Sequence, residues 1–174
     1  MKNPSFIAFA AAAFAALAFC SCTKDKNTVD FDHFKVEYSI ETNLESRDCF
    51  VTDYEILIND KVEESGALSI ELNGEYTNSD AEPNSTVTFR TVPKYADNIP
   101  AEVDLFLKYD ITIMAIGKDG GVLDSQSVRG TASSDEKIDL STAENRKVAL
   151  DEYTIDFKIK STVSDGKVVF VPAN

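Results

Sequence analysis

The chain has no tryptophan, one histidine and three cysteines in 174 residues. With His33 as the only imidazole, any Ser-His-Asp or Cys-His device would have to be built on it. It lies where a polar N-terminal segment meets the first alternating run, a position that suits a solvated residue at a strand start. Two of the cysteines, Cys20 and Cys22, sit two positions apart near the N-terminus. That leaves the rest of the chain without the Cys and His cluster a zinc site needs. Cys49, just before Phe50, reads as a reduced, half-buried thiol in a strand. Without tryptophan, the flat aromatic platform that often holds a sugar is largely missing. No glycine-rich phosphate loop occurs, and no motif calls for a cofactor. Lys and Arg number 17 against 30 Asp and Glu, a net charge of −13, and form no basic cluster. Nucleic acid and anionic headgroups are therefore repelled. The carboxylates fall on alternating, solvent-facing positions, so their abundance does not single out a glycosidase pair. Asn78, Asp80 and Glu82 lack the calcium-loop pattern and read as a turn.

Long apolar runs are scarce too. Phe6 to Phe19 is the only one, preceded by Lys2. Fourteen residues suit a signal-peptide core and fall short of the roughly 20 that a membrane-spanning helix needs. A cysteine follows at once. Cys20 has bulky Phe19 beside the cut, whereas Cys22 has small Ser21, which a peptidase site admits more readily. With the polar stretch "TKDKNTVD" after Cys22, this N-terminus resembles a bacterial lipoprotein of the Bacteroidota type. The resemblance covers about 30 residues. It implies cleavage after Ser21, acylation of Cys22 and attachment to the membrane through that lipid. The expected organisation is a signal peptide over 1–21, a polar tether over 22–30 and one domain over 31–174. Cleavage removes Lys2 and makes the balance one unit more negative. In place of an Asp that would resemble an inner-membrane retention signal, Thr23 follows the cysteine, so the expected address is the outer membrane. "KDK" (24–26) matches the surface-export pattern only through Asp25, which tips the expectation toward the cell surface over the periplasmic face.

From residue 34 onward the period is two. Phe34, Val36, Tyr38 and Ile40 alternate with polar residues, as in a half-buried strand. Phe50, Thr52, Tyr54, Ile56 and Ile58 repeat the pattern, followed by Leu68, Ile70 and Leu72, then Val87 and Phe89. Val103 to Ile113 is the longest run, and Met114 and Ile116 suggest that its second half is covered on both faces. Asp-Gly in "KDGG" (118–121) and "SDGK" (164–167) marks two hairpins, because glycine takes the positive φ such turns need. "STAE" (141–144) has capping-box spacing and predicts one helical turn. The parity shift from Leu150 to Tyr153 predicts a bulge near Asp151. Eight or nine short strands with little helix predict an all-β fold, an antiparallel β-sandwich with an immunoglobulin-like Greek key. The expected core includes Val36, Tyr38, Ile40, Tyr54, Ile56, Leu68, Ile70, Leu72, Leu107, Ile111, Ile113, Ile155 and Phe157.

One loop stands out. "VPKYADNIP" (92–100) is bounded by Pro93 and Pro100 and carries Lys94, Tyr95, Asp97 and Asn98. A proline-restrained loop with an aromatic tip can serve as a contact surface. The favoured expectation is that Tyr95 covers the end of the sandwich. The functional expectation is a membrane-anchored, non-enzymatic module for interaction or assembly in the cell envelope, with a protein partner. The alternative is an auxiliary glycan-binding surface lipoprotein.

Overall fold

A computed structural model describes residues 29–173; the signal segment, Cys22 and the first part of the tether lie outside the described residues. β1 (His33–Thr42) buries every second residue from Phe34 to Ile40. A short helix, α1 (Leu44–Cys49), then carries the chain to the second sheet. It starts at Asn43, whose side chain accepts a hydrogen bond from the Ser46 N–H at 2.7 Å, satisfying an orphan donor of the first turn. β2 (Phe50–Ile58) and β3 (Lys61–Ala67) form a hairpin. Its turn residues Asn59 and Asp60 have φ of 51° and 63°, a left-handed pair that Asn and Asp tolerate better than most residues. β4 (Glu71–Asn78), β5 (Thr86–Tyr95), β6 (Glu102–Val103), β7 (Phe106–Ile116), β8 (Val122–Ser133) and β9 (Ile138–Asp139) follow. After α2 (Ala143–Glu152), β10 (Asp156–Ser164) and β11 (Lys167–Pro172) complete the fold.

Every pairing is antiparallel. One sheet has the order β4-β1-β7-β8, the other β11-β10-β5-β2-β3, and β6 pairs with β9 as a small ribbon. The chain is thus an all-β sandwich, as the alternation predicts. Phe34, Val36, Ile56, Val87, Phe89, Leu107, Ile111 and Ile113 are fully buried. Pro93 sits opposite Thr52, whose carbonyl points the other way, to the Leu68 N–H. Proline's missing donor therefore faces away from β2, beyond the last residue of β5 that pairs with β10, where no ladder bond is lost.

Four local expectations need correction. Leu68, Ile70 and Leu72 are not one strand: β3 ends at Ala67, β4 begins at Glu71, and the residues between cross from one sheet to the other. Ile70 and Leu72 are accordingly half-buried. The single turn at 141–144 is a ten-residue helix, capped by Thr142 and not by Ser141. No bulge lies at Asp151, because the parity shift there is the passage from α2 to β10. Cys49 ends a helix and is fully buried. In addition, Phe157 is only half-buried, and Met114 looks out from the open face of its sheet.

Three tyrosines face glycines across the ladder: Tyr38 with Gly74, Tyr54 with Gly66 and Tyr109 with Gly130. Each glycine is on an edge strand, and each ring lies where a Cβ would stand. The aromatic ring covers the weak spot that a glycine leaves in an edge. Tyr38 and Tyr54 come from opposite sheets, with ring centroids 5.3 Å apart. Their phenols lie 3.2 Å from each other and reach Glu64 Oε1 at 3.0 and 3.1 Å. This bridge closes one side of the sandwich. Burial, with Tyr54 and Glu64 adding to it, pushes the Tyr38 phenol far above its usual range. On the other side, Asp124 Oδ2 of β8 accepts the Phe170 N–H of β11 at 2.6 Å.

Candidate functional site

The sandwich has two unlike ends. Residues 29–32 enter at one, beside the turns at 59–60, 117–121 and 165–166. Antiparallel alternation sends α1, the loop after β5, the β6–β9 ribbon and α2 to the other. The 92–100 loop is therefore at the opposite end of the sandwich from the chain's entry.

One aromatic side chain and three backbone groups of neighbouring segments brace that loop and its exit. The Tyr95 ring lies 5.1 Å from Phe50, and its hydroxyl donates to the Arg146 carbonyl of α2 at 2.5 Å. Phe50 stacks on Tyr153 at 4.6 Å. Thr42 Oγ1 donates to the Phe106 carbonyl at 2.7 Å, so the Tyr153 hydroxyl, also 2.7 Å away, donates to Thr42. The Ala96 N–H meets the Cys49 carbonyl, and the Leu140 N–H meets the Ala101 carbonyl. Tyr95 is thus half-buried and covers the end of the sandwich. Lys94, Asp97 and Asn98 are exposed on the same braced loop.

Asn98 opens onto a depression of about 370 Å³ lined also by Glu45, Asp48, Cys49, Glu102 and Lys137. Lys137 Nζ donates to both Glu45 oxygens, at 2.9 and 3.1 Å. That bond, followed by the Asp104 N–H, holds the Glu45 carboxyl below its ordinary value, and Glu45 in turn raises the Lys137 ammonium. Asp48 pairs with Arg47 at 2.6 Å. Glu102 is in no ion pair among the described residues. With Glu45 paired to Lys137 and Asp48 to Arg47, Glu102 leaves the depression one uncompensated negative charge, which suits a cationic group. Lys94, Tyr95 and Asp97 are not part of its lining. Glu45, Glu102 and Lys137 were not foreseen, because they come from α1, β6 and the β8–β9 loop and share no local motif.

Nothing here has the geometry of a nucleophile beside its base. Cys49 is fully buried, and burial pushes its thiol up to about 11 from an ordinary value near 9. A raised thiol pKa favours folding below pH 9, and the advantage fades as pH rises toward 11. At pH 8 the domain without Cys20 and Cys22 should therefore show no thiol reactive to Ellman's reagent until it is unfolded, and then one. Ready titration of the native domain would contradict that burial. His33 is at the opposite end, 2.8 Å from Asp32 at the start of β1. Asn78 accepts the Asp80 N–H at 3.0 Å, which closes the 77–85 loop as a turn.

In comparison with known proteins, this chain matches no family model, no curated sequence and no solved structure.

Proposed function

We propose that this protein is a lipid-anchored, non-enzymatic interaction module of the outer membrane, which presents the loop-and-helix end of its sandwich to a partner protein. The observation that carries the proposal is the division between the two ends. The chain enters at one, and the other gathers α1, α2 and the braced 92–100 loop. A contact surface gains from such bracing, since ordering entropy is spent before the partner arrives. The acidic depression beside Asn98 favours a partner with exposed lysine or arginine. Rim charges of this kind set encounter rate more than affinity.

The anchor is tested first. Intact mass of the mature protein should place an acylated Cys22 at its start, and Cys22→Ala should leave a soluble or uncleaved product. An unmodified terminus elsewhere overturns the anchor. Protease added to intact cells should digest the domain if it is on the surface. Protection until lysis assigns it to the periplasmic face. For the partner surface, Asn98→Arg with Glu102→Lys should abolish cross-linking to envelope proteins without lowering the melting temperature. Retention of the same cross-links moves the contact elsewhere.

One observation favours the glycan alternative. On the outer face of the β4-β1-β7-β8 sheet, Ser39, Asn73, Asp110, Thr112 and Arg129 line a shallow groove of about 580 Å³. Hydroxyl, amide, carboxylate and guanidinium groups in one groove suit a polyol. Depletion of the protein by an insoluble polysaccharide, lost on Arg129→Ala, would support that reading over the first.

A further inference from the structure

We propose that the anchored end of the sandwich itself rests on the bilayer, through Val122 and Leu123 at the start of β8. The proposal rests on the lipid at Cys22. Seven steps separate Cys22 from Val29, a span of at most about 25 Å fully extended. Whatever surface the domain shows at its entry end is therefore held within that distance of the headgroups.

That surface is unusual for so acidic a chain. Val122 is 58% exposed and Leu123 36%. Beside them Val29 and Val169 are half-buried, around a depression of about 410 Å³ that Lys167 also lines. Of the other large exposed apolar residues, Val62 follows the 59–60 turn at this same end, and Leu44, Val51, Ile99 and Val148 belong to the far end. Lys118 and Lys167 flank the patch, and neither is in an ion pair among the described residues. Three nearby carboxylates are turned onto backbone donors. Asp30 accepts the Lys118 N–H at 3.2 Å, Asp119 the Gly121 N–H at 2.8 Å and Asp124 the Phe170 N–H at 2.6 Å. Asp165 stays exposed in the β10–β11 turn, and Asp32, paired with His33, is exposed in the entry segment. Two apolar side chains with two unpaired ammonium groups beside them fit the boundary between acyl chains and zwitterionic headgroups. There, lysine stems lie along apolar surface while the ammonium meets lipid phosphate. Two such side chains would be too little to hold a free protein at a membrane. Held by the anchor, the domain meets the surface at high effective concentration, and a weak contact suffices to orient it.

The test uses the acylated protein on vesicles of phosphatidylcholine and phosphatidylethanolamine, some carrying nitroxide headgroups. A fluorophore is placed at Ser125→Cys, near the patch, or at Val148→Cys, at the far end; buried Cys49 stays unlabelled. With the contact, the label at 125 loses most of its emission and the label at 148 keeps its own. The loss at 125 disappears in the Val122→Ser/Leu123→Ser background, while the far-end label and the melting temperature do not change. If the protein floats with the vesicles and both labels stay equally bright, the contact is overturned and the anchor stands. Quenching at 125 that survives the double serine change also overturns it, since the tether alone would then explain proximity. If the protein does not float at all, the anchor fails and the contact falls with it.

Discussion

Phe89→Ala should cost about 3–5 kcal/mol of stability, the usual range for emptying a fully buried phenylalanine site. Phe89 is entirely buried on β5, with its ring 5.2 Å from Tyr38 and 6.0 Å from Tyr54. It packs under the aromatic bridge between the sheets, so the cavity would open where both sheets depend on one contact set. A domain's whole margin is about 5–15 kcal/mol, so the variant should melt far lower or fail to fold. Phe157→Ala is the control. Phe157 is opposite Phe89 in the ladder but half-buried, so its loss should cost distinctly less. Urea denaturation of both variants would check the order. Equal midpoints would mean that Phe89 is not at the centre of the core.

Gly74→Ala should also destabilise, by about 1–3 kcal/mol, as overpacking usually does. A Cβ at Gly74 would overlap the end of the Tyr38 ring. The ring cannot swing away freely, because Tyr54, Phe89 and Glu64 hold it. The informative experiment is the cycle with Tyr38→Ala. Once the ring is gone the clash is gone, and alanine restricts the unfolded chain more than glycine does, by about 0.4–1 kcal/mol in favour of folding. Gly74→Ala should therefore change sign between the two backgrounds. A cost that stays the same in both would show that the ring does not cover Gly74.

Where a residue's partner lies one rung away, the period of the sequence was enough to foresee it. β1, β2, β5 and β7 were legible for that reason, as were the turns at Asp119 and Asp165, where a glycine follows an aspartate. The misreadings came where alternation continues through a change of sheet. Leu68, Ile70 and Leu72 keep the period of a strand while the backbone crosses between layers, and periodicity carries no mark for that. The length of α2 is not legible because no apolar stripe supports it; Ala149 is its one buried side chain. Thr142 and contacts at the sandwich end hold it instead. The Asn59–Asp60 turn lacks the glycine that would have announced it. At the candidate site, Tyr95 was visible from its two flanking prolines. Its role as a cover depends on the Arg146 carbonyl, 51 residues away, and no local pattern encodes such a distance.

The opposition of the two ends has a mechanical consequence. β1 follows the point of entry directly and is an inner strand, between β4 and β7. A pull between that point and the far loops runs along the strands. It loads the ten rungs that join β1 to β7 in shear, all together, instead of opening them one at a time. Dragged by whatever it holds, such a domain should resist extension far better than the same domain pulled across its strands.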